Sequence, residues 1–82
     1  MPISAYIFFL IKLGKTQEVI DKLRDIPNII SVAIVTGEFD IVAKIIVDDM
    51  EQLYLITSNQ IHMIEGIIET QTSVIEREEI KE

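Results

Sequence analysis

The chain has no cysteine and no tryptophan, a single histidine, three glycines and two prolines. Without cysteine it can form no disulfide framework, no thiolate nucleophile and no cysteine-based metal site. His62 alone cannot supply a multi-histidine metal cluster within one subunit. Basic residues are also scarce: seven Lys and Arg stand against fourteen Asp and Glu, a net charge of −7 with pI near 4.5. No Lys/Arg cluster or stripe offsets that field, so the chain is expected to bind neither nucleic acid directly nor an anionic membrane. The opening Met1-Pro2-Ile3-Ser4 lacks the basic region and small-residue cleavage site of a signal peptide. The apolar run from Ala5 to Ile11 is too short to span a bilayer. The expectation is a soluble cytoplasmic protein that carries no cofactor.

Apolar residues are plentiful, at 49% of 82 residues. A chain of that size is a single domain, here taken as residues 1–82, and buries only about 60–65% of the surface its unfolded form exposes. So generous an apolar fraction implies that part of it meets another subunit.

In chain order, Ala5-Tyr6-Ile7-Phe8-Phe9-Leu10-Ile11 reads as a central strand. Ala5, Ile7, Phe9, Ile11 and Leu13 point one way; Tyr6, Phe8 and Leu10 point the other. Thr16 is the expected cap of an amphipathic helix whose stripe is Val19, Ile20, Leu23 and Ile26, stopped by Pro27-Asn28. Ile29 to Val35 and Phe39 to Val47 read as two strands joined by a tight turn at Gly37. On the second of them Phe39, Ile41, Ala43, Ile45 and Val47 make an apolar face. Asp49 and Gln52 have capping-box spacing before a second helix, with Met50, Leu53, Thr57, Ile61 and Ile64 as its stripe. Ile67 to about Glu76 reads as a fourth strand, and Glu76 to Glu82 as a charged, solvated end.

The order β-α-β-β-α-β, with two interleaved right-handed crossovers, predicts an α+β ferredoxin-like sandwich. Its four-stranded antiparallel sheet has order 4-1-3-2 with both helices on one face. The other face would then carry Tyr6, Phe8, Leu10, Val42 and Ile46, which points to a homodimer through the sheet faces.

These residues carry a specific resemblance. Lys12-Leu13-Gly14-Lys15, Ile26-Pro27-Asn28-Ile29, Thr36-Gly37-Glu38-Phe39-Asp40, Gly66-Ile67 and Thr70-Gln71-Thr72 together resemble the effector-binding module of the Lrp/AsnC transcriptional regulators, the RAM domain. The similarity spans essentially the whole chain, and the Gly-x-aromatic-Asp turn is its most telling part. It implies a stand-alone module without the helix-turn-helix of full-length members, acting through a DNA-binding paralogue. It further implies sheet-to-sheet dimers, rings that are commonly octameric, and a small amino-acid effector bound between dimers. By the same resemblance Gly37, Glu38, Phe39 and Asp40 match the effector-binding turn, and Thr70 and Thr72 match polar residues that complete the site. Asp40 would take the α-ammonium, while threonine hydroxyls or turn N–H groups would take the α-carboxylate. The family most often has Tyr where this chain has Phe39, so a hydroxyl is missing from the site. A site using both the turn and the last strand is expected to be built from different subunits.

The competing interpretations are plainer. Gly37 to Asp40 serves as an acidic turn, and Thr70 and Thr72 serve as ordinary strand threonines. His62 has no partner beside it in sequence, Lys44 is expected to reach a carboxylate at the sheet interface, and Asp48-Asp49 fits helix capping better than metal binding. No enzyme activity is expected. Two other classes share the topology: a monooxygenase-like dimeric α/β-barrel enzyme and an ACT-like regulatory module.

Overall fold

The computed structural model of the protein describes residues 1–81. Burial along Ile3–Ile11, the first strand (β1), alternates as a pleat requires: Ala5, Ile7, Phe9 and Ile11 are buried, and the residues between them are half-buried. The remaining elements are α1 (Thr16–Arg24), β2 (Ile29–Ile34), β3 (Ile41–Val47), α2 (Met50–Ile56), a π-helical turn (Thr57–Ile61) and β4 (Ile67–Val74). All pairings are antiparallel and the sheet order is β2-β3-β1-β4, the expected order read from the other edge.

One face of the sheet meets the helices. Ile41, Ala43, Ile45 and Val47 of β3 join the buried β1 residues, and Val19, Leu23, Leu53, Ile56 and Ile61 cover them from the helices. The core so formed contains no buried polar side chain among the described residues. Replacing a fully buried member such as Phe9 by Ala removes its transfer energy and leaves a cavity, at a cost of about 3–5 kcal/mol.

Four details differ from the sequence expectation. Leu13 lies beyond the end of β1 and is 99% exposed, because the pleat that would have turned it inward stops at Ile11. Thr16 is the first helical residue; Lys15 occupies the cap position and makes no side-chain capping bond. Phe39 precedes β3, within a six-residue connection from Val35 to Asp40, and its ring packs against Phe8 at 5.6 Å, on the face away from the helices. In the second helix Met50 is exposed and Ile56, not Thr57, is buried. Past Ile56 the chain enters the π turn, in which the His62 N–H bonds to Thr57 O at 2.9 Å and the inward stripe advances five residues, from Ile56 to Ile61. The start of α2 follows expectation: Asp49 Oδ1 accepts the Gln52 N–H, while Gln52 Oε1 accepts the Asp48 N–H.

The helix-free face carries Tyr6, Phe8 and Leu10 of β1 beside Val42, Lys44 and Ile46 of β3. Residues 76–81 are exposed, as expected of a charged end, yet they form a strap that reaches this face. The Ile75 N–H donates to Ser4 O, and Glu78 accepts from Lys44 Nζ at 2.8 and 2.9 Å and from the Tyr6 hydroxyl at 3.2 Å. Lys44 thus finds its carboxylate within its own chain. The hydrogen bond between the two holds Glu78 below the usual carboxylate range and Lys44 above the usual lysine value. Glu82 lies outside the described residues.

Candidate functional site

Gly37 has φ of 149°, a conformation that favours glycine, and lets the chain leave β2 and swing back toward β1. Gly37 and Glu38 are exposed at the tip, while Phe39 and Asp40 are half-buried. Asp40 is the fixed point of this loop. Its N–H donates to Phe9 O at 2.9 Å, its carbonyl accepts the Val35 N–H at 2.9 Å, and its Oδ2 accepts the Ile11 N–H at 2.8 Å. The Asp40–Ile11 bond is well placed, because the pairing of β1 with β3 ends at Phe9 and Ile41 and the Ile11 N–H beyond it needs another acceptor. Oδ1 has no hydrogen-bond partner among the described residues.

Thr70 and Thr72 pair with Phe9 and Ile7 of β1 and share their side of the sheet, the side of the helices. The two halves of the expected site therefore flank β1: Asp40 bonds to Phe9 from the β3 side, and Thr70 pairs with Phe9 from the β4 side. Two strand spacings, about 10 Å, separate them. The structure brings Gly37, Glu38, Phe39 and Asp40 together in one loop and places the two threonines on one strand face, but it does not join the two groups in one cavity of the protomer.

Thr70 instead has a neighbour that spacing in the sequence did not reveal. His62, directly after the π turn, places Nε2 at 3.4 Å from Thr70 Oγ1. The pair borders a depression of about 230 Å³ whose other walls are Ile67, Ile68 and Glu69. A residue at a helix end and one inside the next strand obey no common period, so only the fold connects them. A depression of about 430 Å³ lies between α1 and the edge strand β2, lined by Ile20, Arg24 and residues 29–32. Among the described residues no group of three or more His, Asp or Glu side chains could hold a metal ion. No helix of the structure is long and apolar enough to cross a membrane.

Comparison with known proteins converges on one family. The model of the Lrp/AsnC ligand binding domain matches residues 4–82. The HTH-type transcriptional regulator FL11 of Pyrococcus furiosus is 36% identical over 73 residues, which are 89% of this chain and 48% of that protein. This chain thus spans about half the length of the curated relatives it matches. Among solved structures, FFRP-DM1 superposes with a TM-score of 0.85 at 27% identity, over 89% of this chain and 97% of that one. The regulator NMB0573 of Neisseria meningitidis, solved as a complex with L-Met, shares the fold with a TM-score of 0.87 at 23% identity, over 98% of this chain and 53% of that one. A match over nearly the whole chain leaves one assignment: this protein belongs to the Lrp/AsnC ligand-binding domain family.

Proposed function

We propose that this domain binds a free small amino acid and passes its occupancy on through homo-oligomeric assembly, regulating transcription together with a DNA-binding member of the same family. The carrying observation is the Asp40 loop. One carboxylate oxygen is tied to the Ile11 N–H, which fixes the group in space, and the other has no partner among the described residues. A carboxylate held in this manner suits an α-ammonium group. The L-Met named for the Neisseria regulator belongs to the same chemical class. The space between sheet and helices, where a monooxygenase-like barrel would need a polar cavity, is filled by Ile7, Phe9, Leu23, Ile41 and Ile61. That favours a binding module over an enzyme.

The minimal assembly in this reading is a dimer through the helix-free sheet faces, and dimers join into a ring such as an octamer. Gly37, Glu38, Phe39 and Asp40 of one copy and Thr70 and Thr72 of another enclose the effector. A thermal-shift screen of the twenty amino acids followed by calorimetry tests the site. Asp40→Asn keeps an acceptor for the Ile11 N–H and removes the charge. It should lower effector affinity about ten- to a hundredfold, the worth of a charge-assisted hydrogen bond, while the assembly keeps its size. Equal affinities would reduce Asp40 to a turn residue.

A further inference from the structure

The strap on the helix-free face gives the sheet-to-sheet contact a competitor inside the same chain. We infer that the strap is an intramolecular gate: while Glu78 holds Lys44 and Tyr6, a second copy of the chain cannot close on the sheet. The inference rests on the face-to-face dimer proposed above.

The first support is where the clamp is built. β1 and β3 are the two inner strands, and their register runs from Ile3–Val47 to Phe9–Ile41 with Tyr6–Lys44 as the middle pair. Lys44 leans from β3 over the ring of Tyr6, its Nζ 5.7 Å from the ring centroid, and Glu78 closes on both side chains. The second support is thickness. Sheets packed face to face stand about 10 Å apart, and the side chains of the two inner faces fill that interval. A strap folded onto the face adds a layer of backbone to it, so strap and second sheet exclude each other.

The third support is how lightly the strap is held. Beyond Ile75, Glu78 alone ties it to the sheet. Arg77 and Glu79 bond to each other at 3.3 Å with side chains 80% and 78% exposed, and Ile80 is 81% exposed. A clamp resting on one partly exposed ion pair opens without disturbing the core. Lys44 is also the one cation in the four strands. A closing second sheet takes Glu78 away from it and covers the ammonium, which favours the docked protomer. The apparent affinity of the dimer therefore falls with the fraction of protomers whose strap is docked.

The 2.8 Å between Lys44 Nζ and Glu78 Oε1 suits a zero-length cross-link. A carbodiimide activates the Glu78 carboxylate, the Lys44 amine displaces the activated oxygen, and an amide forms as that oxygen leaves in the urea. The full chain is treated as a dilute mixture of heavy-isotope and unlabelled protein, and mass spectrometry locates the bridge. Lys44→Arg, which keeps a cation for Glu78 but does not couple, is treated alike as the control. Protein bridged from Lys44 to Glu78 within one chain should remain a monomer at micromolar concentrations where the control sediments as a dimer. A bridged protein that dimerises like the control would overturn the gate and leave the dimer intact. So would the absence of the bridge, or a bridge found only between heavy and unlabelled chains. A control and an untreated parent that are both monomeric at every concentration would remove the dimer, and the gate with it.

Discussion

At the scale of single residues, Asp40 ties its loop to β1 and, in the function proposed, also takes the ligand, and substitutions separate the two. Asp40→Ala leaves the half-buried Ile11 N–H without an acceptor and should destabilise the protein by about 1–3 kcal/mol in urea unfolding, whereas Asp40→Asn should unfold close to the parent. Similar unfolding midpoints for the two variants would show that the Ile11 bond adds nothing. Gly66 is the second sensitive position. Its φ is 102°, and a Cβ there would stand 2.9 Å from Lys15 Cβ and 3.2 Å from Val19 Cγ2. Gly66→Ala combines backbone strain with a clash at the start of α1 and should cost at least about 1–3 kcal/mol. For a domain this small each kcal/mol lowers Tm by about 4–8 °C, so differential scanning calorimetry reads the effect directly. Residue types alone marked Gly37–Asp40 as an acidic turn, and only the family resemblance suggested a ligand there. What held the loop was not legible, because the acceptor and the amide of the Asp40–Ile11 bond are 29 positions apart and no local pattern links them.

At the scale of elements, β1 was readable as a continuous apolar run rich in aromatic and β-branched residues, and β3 from an apolar face recurring at every second residue. The second helix was readable only as far as Ile56. A 3.6-residue period carried through residues 57–61 turns Thr57 inward, but the π turn shifts the stripe and directs Ile61 to the core. Ile61→Ala should therefore cost about 2–5 kcal/mol. Thr57→Ala, which loses only a hydroxyl bonded to Tyr54 O, should cost about 1 kcal/mol or less. Comparable losses at both positions would contradict the π turn. The strap makes a prediction of its own. Glu78 is held low by its hydrogen bond from Lys44, so docking is present above the ordinary carboxylate range and lost as pH falls through the lowered value. Lys44 is held high, so docking is also present below the ordinary lysine value and lost as pH rises through the raised one. Docking should form a plateau across neutral pH and weaken with salt. Protection of the Ile75 N–H, its exchange rate taken relative to the intrinsic rate at each pH, would follow it, and protection that ignores both pH and salt would count against the strap.

At the scale of the whole molecule, the sheet order was legible because two helices between four strands leave few permitted topologies. The occupant of the helix-free face was not, since an excess of apolar residues requires a cover without naming it. The assembly proposed here predicts that Phe8→Glu combined with Val42→Lys yields a monomer or insoluble protein, while sedimentation of the parent at micromolar concentration shows a dimer or larger. A parent that sediments as a monomer would refute it. With a net charge of −7, the chain alone should also leave random duplex DNA unshifted in a gel, and retardation that fades with added salt would refute that. The strap has one more consequence, an optical one. The chain has no tryptophan and two tyrosines; Tyr54 is exposed, while the Tyr6 hydroxyl donates to Glu78. A carboxylate acceptor quenches phenol emission, so a docked strap keeps Tyr6 dim and a released one lets it brighten. Intrinsic fluorescence of the unlabelled protein is thus a gauge of whether its own tail or another surface lies over the sheet.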